Sequence, residues 1–341
     1  VNFALFCPRA NHLKILGPIM AEARYRGHTV SFMVAPADPK GAGALAHIER
    51  EVGGPIVSQM AFQTQIFDWA VAVGLRTAPE LRARTRPAVK WAALDHAGDN
   101  LMFCLEGDTL DGWDVATTLS EEARDFTASL RAKTAAGLLP IGYPELDQLQ
   151  TVVGDRAACR AKWNLPQGRF IRLFGPAARP AALGRWRRQW FEHFRYRTLL
   201  RNVRGWSPDN LLVAKTRAKH RDPSWLAQYC DRIIGDESFY PFTTLELLMA
   251  ADHYVGFASA LSIEAAAVGI PQTTLHGWPP EKGEWPSYWP LKREFFVKGD
   301  FSTNGLWRDD LSRAERRIAC ERWAGPLDGK ASARFLDLLE A

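Results

Sequence analysis

No two cysteines of this 341-residue sequence form a C-x-x-C element. The five that occur, Cys7, Cys104, Cys159, Cys230 and Cys320, are scattered and odd in number. That pattern argues against a closed disulfide framework and the usual structural zinc spacing, and it points to a reducing compartment. No apolar run approaches the ~20 residues that a membrane-spanning helix needs. The opening VNFALFCPRANHLK has neither the basic start nor the cleavage pattern of a secretory leader, so the expected location is the cytoplasm. A short internal repeat is missing. So is the Gly-x-Gly-x-x-Gly fingerprint of a dinucleotide pyrophosphate cradle after the first apolar stretch.

What is present is ordinary globular composition, 47% hydrophobic and 24% charged. The length suggests two domains of about 150–200 residues each. Apolar runs of strand length alternate with amphipathic stretches from end to end. Residues 2–7 read as a strand, Leu13 to Tyr25 as a helix stopped by Arg26-Gly27-His28, and Thr29 to Val34 as the next strand, which is a βαβ unit. A helix from Pro39, a short strand at 55–57, a mostly helical stretch from Phe67 to Asp95 and a strand at 100–106 follow. Further strands are expected at 114–118 and 138–141, with a helix from Ser120 between them. The turn-rich Gly142 to Asp147 is the boundary candidate. The second half repeats the pattern, with strands at 170–174, 210–215, 233–234, 253–257 and 272–275, and terminal helices at 309–323 and 330–339. The expected fold is α/β, two Rossmann-like doubly wound domains over 1–148 and 149–325. A last helix at 326–341 packs back across them.

The stretch Tyr240 to Pro271 is the most informative. Thr243 and Thr244 open a helix, with Glu246 placed for a capping box. A strand then ends in Ala258-Ser259-Ala260, and a second helix runs to a Gly-Ile-Pro stop. Small hydroxyl residues between a strand end and a helix start suit a phosphate or a ribose, because the N–H groups there are free and the helix dipole favours an anion.

Several pieces resemble the GT-B superfamily of nucleotide-sugar glycosyltransferases. They are IGYPELDQL at the boundary, LFGPAAR at 173–179, LLVAK at 211–215, YPFTTLELLMAAD at 240–252, SALSIE at 259–264 and DGKASARFLDLL at 328–339. Within that superfamily the C-terminal half looks most like the CDP-glycerol glycerophosphotransferase branch and, more loosely, the UDP-N-acetylglucosamine 2-epimerases. The resemblance implies two domains facing across a cleft that holds a nucleotide-activated donor. A UDP-sugar comes first, with a CDP- or GDP-linked donor as the alternative. Position by position, Arg179, Lys215, Ser259 and Glu264 fall on the family's donor-side residues. Departures are Ala260 for a second Ser, Thr216-Arg217 for a His-Pro, and Ala177-Ala178 for a Thr-containing pair. The epimerase His-Arg-Arg-Glu-Asn motif is absent.

The chemistry fits metal-independent transfer, with no cofactor expected. Arg179, Lys215 and Arg217 stand at or past strand ends, where they would neutralise a departing diphosphate. Thr243, Thr244, Ser259 and Ser262 would donate hydroxyl hydrogen bonds, or else merely cap helices. Glu264 would accept from ribose. His12, after the first strand, matches the catalytic His of UDP-sugar glycosyltransferases and is the base candidate, with Asp108 as an alternative. Arg9 and Lys14 would bind an anionic group. The net charge of +5 is concentrated between Arg179 and Arg204. There Arg187, Arg188 and Arg195 flank Trp186, Trp190 and Phe194. That stretch is a packed helix with Arg stems over apolar surface, a peripheral membrane contact through 185–206, or a dock for a glycan, lipid-linked or nucleic-acid polyanion. Epimerase or hydrolase activity, or polyanion binding without turnover, are the alternatives to transfer.

Overall fold

In the computed structural model the apolar NFALF run is β1 (Asn2–Phe6), the third strand of a seven-stranded sheet. The structure describes residues 1–34, 39–75, 82–83, 88–96, 110–135, 137–152, 155–176, 200–201, 203, 209–216, 224–235, 238–256, 260–275, 299–302, 306–309 and 311–341. The expected strand at 100–106 and the Trp/Arg-rich stretch at 185–199 lie outside these residues. The chain forms two compact units. The first comprises Val1–Thr151, Ser238–Thr243 and Glu321–Ala341, and the second Val152–Glu237 and Thr244–Cys320.

The first sheet continues through β2 (Thr29–Met33), β3 (Ile56–Val57), β4 (Trp69–Val73), β5 (Lys90–Leu94), β6 (Val115–Thr118) and β7 (Leu138–Pro140). Its order is β3-β2-β1-β4-β5-β6-β7, and every pair is parallel. Fully parallel sheets are covered on both faces, and the strands accordingly read as near-continuous apolar runs. Helices α1 (Leu13–Tyr25), α2 (Pro39–His47), α3 (Gln59–Thr64) and α4 (Glu121–Ala135) belong to this unit. Ser120 caps α4, its Oγ accepting from Ala123 N at 3.0 Å.

The stretch from Phe67 to Asp95, expected to be mostly helical, instead supplies β4 and β5. WAVAV and KWAAL are short apolar runs, which periodicity alone cannot separate from a buried helix. Their length decides for strand, and burial follows: Ala70, Val71, Ala92 and Ala93 are completely inaccessible. Ala4, Met33, Val57, Phe62, Phe67, Ala72 and Trp91 form one apolar cluster on this sheet.

Helix α1 buries Leu13, Ile15, Leu16, Ile19, Met20 and Ala23, and leaves Arg24 and Tyr25 in water. Burial of each large side chain contributes about 1.5–3 kcal/mol. The helix ends where Gly27 takes φ +79° and His28 N donates to Ala23 O, a left-handed stop that glycine adopts without penalty.

The second sheet holds β8 (Ile171–Gly175), β9 (Leu211–Lys215), β10 (Arg232–Ile234), β11 (His253–Gly256), β12 (Gln272–Leu275), β13 (Gly299–Ser302) and β14 (Leu306–Asp309). The order is β10-β9-β8-β11-β12-β14-β13. The first five strands are parallel, while β14 pairs antiparallel with both β12 and β13. That antiparallel edge was not expected: residue 309 ends a strand rather than opening the penultimate helix.

Further helices among the described residues are α5 (Arg156–Lys162), α6 (Thr243–Ala250), α7 (Ala260–Val268) and α8 (Arg313–Ala324). The last helix, α9 (Ala331–Glu340), packs in the first unit. The expected capping box at Thr243–Glu246 does not form, because Glu246 instead accepts from Lys162 Nζ at 2.7 Å and Trp163 Nε1 at 3.2 Å. A capping box does form at Ser312–Glu315, where Ser312 N donates to Glu315 Oε2 and Glu315 N to Ser312 Oγ. Among the described residues no helix is long and apolar enough to cross a membrane.

Candidate functional site

In the first unit the strand order reverses between β1 and β4. Loops leaving those two strands diverge, and open α/β sheets bind ligands in the crevice that results at the strands' C-terminal ends. The loop after β1 is tightly drawn. Cys7 N donates to Met33 O at 2.9 Å, the Cys7 thiol to Arg9 O at 3.3 Å, and His12 N to Arg9 O at 3.0 Å. These bonds close a single 3-10 turn, Ala10–His12, that feeds directly into α1.

His12 occupies the N-cap of α1 but makes no side-chain cap bond. It is 6% exposed, and its Nδ1 has no hydrogen-bond partner among the described residues. Its ring lies 6.2 Å, centre to centre, from that of His96, with the planes inclined at 48°. Burial, then the like charges of His96 and Arg9, push the His12 imidazole down to about 3. The ring is therefore neutral across the physiological range and carries a lone pair. Sequence reading did not single out His96. The signal was its place two residues past Leu94, the end of β5, and it was hidden because that stretch was read as helix.

Lys14, two residues on from His12, is placed differently from a free anion-binding cation. Its Nζ lies 3.2 Å from Glu145 Oε1 and 3.6 Å above the centre of the Phe242 ring. Glu145 is fully buried and also accepts from Tyr143 Oη at 2.8 Å. Arg9 is exposed.

In the second unit the order reverses between β8 and β11, and those strands end side by side at Gly175 and Gly256, which are register partners. Two residues before Gly256 on the same face, the buried ring of Tyr254 lies across both glycines. A Cβ at Gly175 would meet Leu261 Cδ2 and Tyr254 Oη at 2.8 Å, and one at Gly256 would collide with the tyrosine ring. The glycines thus let an aromatic ring cap the ends of the two strands at the reversal, a feature that sequence reasoning missed.

Lys215, at the end of β9, is buried and donates to Thr216 O at 3.5 Å. Thr216 Oγ1 donates to Ile234 O. Thr243 exchanges bonds with the Ser238 backbone at 3.4 Å, and Thr244 is buried beside it. Ser262 and Glu264 are fully inaccessible on α7, a helix with every residue from Leu261 to Val268 buried. Arg179, Arg217, Ser259, Arg187, Arg188, Arg195 and Asp108 lie outside the described residues. Gly175 and Gly256, the last residues of β8 and β11, stand four and three positions before Arg179 and Ser259 in the sequence.

No protein-family model matches this sequence, and no curated protein matches it. Solved structures do. The wall teichoic acid polymerase TagF superposes with a TM-score of 0.59 at 15% identity, over 99% of this chain and 88% of that one. The UDP-GlcNAc 2-epimerase of Neisseria meningitidis, solved with UDP-GlcNAc, gives 0.61 at 12% identity over 99% of both chains. The MnaA–UDP structure from S. aureus gives 0.64 at 11% identity, over 99% and 96%. At these identities the likeness establishes the fold. The chain is built on the GT-B plan of two Rossmann-like domains, as its motifs suggested.

Proposed function

We propose that this chain transfers a sugar or an alditol-phosphate from a nucleotide-activated donor to a hydroxyl acceptor, with His12 accepting the acceptor's proton. The observation that carries the reading is His12 itself, a buried, neutral imidazole with an unpartnered nitrogen at the strand-order reversal of the first unit. A base must hold a lone pair within reach of the hydroxyl it deprotonates, and burial guarantees the lone pair here.

The donor side falls to the second unit. Lys215 supplies positive charge and Thr244 and Ser262 supply hydroxyls, with Arg179, Arg217 and Ser259 as further contacts. Glu264 would take a ribose hydroxyl. Such groups stabilise a leaving diphosphate without a requirement for bound metal. Two of the structural neighbours were solved with a uridine nucleotide, which supports a UDP-linked donor first, with CDP- or GDP-linked donors next.

A second reading, nucleotide-sugar epimerisation or hydrolysis, draws on the epimerases among those neighbours. It differs in needing no acceptor. One experiment separates these cases. UDP-, GDP-, CDP- and TDP-sugars are screened for a rise in melting temperature, and the donor that gives one is then assayed with the wild type and with His12→Gln. The expected result is a stabilising donor, acceptor-dependent product, and a loss of roughly 10²–10⁴ in turnover for His12→Gln with the donor's thermal shift intact. Product formed without acceptor would move the reading to epimerisation or hydrolysis. No stabilisation by any nucleotide sugar would remove the donor site altogether.

A further inference from the structure

The aromatic cluster of the first sheet contains hydrogen-bond donors that the transfer reading leaves idle. Trp91 is the second residue of β5, and Trp113 stands two positions before β6. Both therefore lie at the N-terminal edge of the sheet, roughly 15 Å along β5 from His96 and away from the strand ends that hold His12. Trp91 packs edge-on against Phe62 at 6.0 Å and against Trp113 at 6.2 Å, centre to centre. Arg82 lies over the Trp113 ring, its Cζ 4.0 Å from the ring centre.

Packing accounts for the rings but not for their N–H groups. Trp91 Nε1, Trp113 Nε1 and Arg82 Nε are all buried, and none has a hydrogen-bond partner among the described residues. Trp91 is only 3% exposed as a whole. An indole can rest its N–H on a neighbouring ring, but that contact is second-order beside a hydrogen bond to oxygen. Buried polar groups are normally paired, and three unpaired ones in one chain of contacts are uncommon. All three are donors, so what completes them is an acceptor. Arg82 adds a charge. Its guanidinium is half-buried, and burial pushes it below the ordinary arginine value with no carboxylate opposing that effect. Its hydrogen bond among the described residues, from Nη1 to Asp111 O at 3.2 Å, goes to an uncharged carbonyl. Asp111 and Asp114 stand on the same loop and oppose an anion there, but the Asp114 carboxylate is taken up by Trp91 N at 2.7 Å and Asp111 is exposed. Gly112 makes room for the guanidinium, since a Cβ there would come within 3.0 Å of Nη1. A planar guanidinium fixed on an indole keeps its Nε edge oriented for the two oxygens of a carboxylate or phosphate.

We propose that Arg82, Trp91 and Trp113 form a second binding site, remote from His12, for the oxyanion group of an acidic sugar, either a carboxylate or a phosphate. Arg82 takes the group through its Nε edge, and the two indole N–H groups donate to its remaining oxygens. The apolar rings around the guanidinium keep water away from these charge-assisted bonds and so strengthen them. Arg82 and Trp113 are half-buried and border solvent, which is the side from which the sugar arrives. The site holds its ligand without touching any reacting atom, so it does not rest on the transfer reading.

The test titrates glucuronate and glucose 6-phosphate, one at a time, into the full chain. Calorimetry gives the affinity, and the indole ¹H–¹⁵N signals of Trp91 and Trp113, assigned through Trp91→Phe and Trp113→Phe, report the contact. The expected outcome is that at least one sugar binds and moves both indole signals. Arg82→Gln should weaken that binding on the order of tenfold, the size of one lost charge-assisted contact. Trp113→Phe keeps a ring beneath the guanidinium and removes one donor, so it should cost about two- to tenfold. The sugar that binds more tightly assigns the anion as carboxylate or phosphate. Binding of neither sugar at millimolar concentration, indole signals that stay still, or affinities within about twofold of wild type in both Arg82→Gln and Trp113→Phe would overturn the proposal. The two variants alter different side chains, so one that folds poorly leaves the other to decide. His12→Gln should leave this binding intact even where it abolishes turnover; binding lost in His12→Gln and kept in Arg82→Gln would place the sugar at His12 and remove the second site.

Discussion

The ammonium of Lys14 and the carboxylate of Glu145 face each other at 3.2 Å, and both side chains are almost wholly shut off from water. Taking both ions out of water costs several kcal/mol each, and their attraction offsets that only while both are present. Glu145→Leu is therefore expected to destabilise the first unit by about 3–5 kcal/mol, because it leaves the cation buried without its carboxylate. Lys14→Met added to the same chain should recover most of that loss, since exchanging a buried pair for apolar residues is often neutral. Urea unfolding of the two variants measures this, and a cost under about 1 kcal/mol for Glu145→Leu would mean that the remaining contacts of Lys14, or water, hold its charge. Lys14 was legible in the sequence as a cation beside His12, but its partner was not. The pair spans 131 positions, and only the packing of α1 on the turn at Pro144–Gln148 creates it. His12 was legible for the opposite reason: its place follows from a local strand, loop and helix. The depressed proton affinity was not, because it needs the burial and the neighbour that the fold supplies.

At the scale of elements, α1 contains two residues that sequence rules count against a helix, Gly17 and Pro18. Pro18 has no N–H to offer the carbonyl of Lys14 one turn back. Gln148 takes its place, Nε2 donating to Lys14 O at 3.4 Å while Oε1 accepts from Phe242 N at 2.6 Å. Gly17 makes room for the ring of Tyr240, which a Cβ there would overlap. Both irregularities thus serve one purpose, docking the segment Ser238–Thr243 against α1, and Glu51 secures the same segment by accepting from Phe239 N at 2.8 Å and Tyr240 N at 3.1 Å. Gly17→Ala sets two effects against each other. Helix propensity favours alanine by about 1 kcal/mol, while forcing a methyl into a packed contact costs typically about 1–3 kcal/mol. The expected result is net destabilisation, relieved in Gly17→Ala combined with Tyr240→Ala. A melting temperature that rises in the single variant would show that Tyr240 moves aside freely. Most helices and strands were readable from periodicity and caps, as in the Arg26-Gly27-His28 stop. The misread stretch was 67–95, where two five-residue apolar strands carry no period, and the β13–β14 edge was missed because its partners are set by the sheet and not by the local sequence.

On the scale of the whole chain, the first unit is discontinuous: its sheet comes from the first 151 residues, yet Ser238–Thr243 and Glu321–Ala341 belong to it. The final helix is not an ornament on its surface. Phe335 and Leu336 are completely buried and Leu339 nearly so. Trp69, at the start of β4, donates through Nε1 to Leu339 O at 3.0 Å. The Asp147 carboxylate accepts from Ala331 N and Ser332 N and so serves as the N-terminal cap that Lys330 does not provide. Arg26 also reaches Asp337 and Glu340, but those pairs are largely exposed and contribute at most about 1 kcal/mol. The apolar burial dominates. Three large side chains at about 1.5–3 kcal/mol each give an upper figure on the order of 5–9 kcal/mol, comparable with the entire stability of an ordinary domain at about 5–15 kcal/mol. Deleting residues 326–341 should therefore unfold or severely loosen the first unit while the second, which holds none of those contacts, keeps its own structure. Hydrogen exchange resolves the two. Amides of β1, β4 and α1 should lose protection in the deleted chain, and those of β8, β9 and β11 should keep it. Phe335→Ala, at an expected cost of about 3–5 kcal/mol, should move the first set in the same direction without removing any backbone. Unchanged exchange in β1 and α1 would show that the sheet stands without α9.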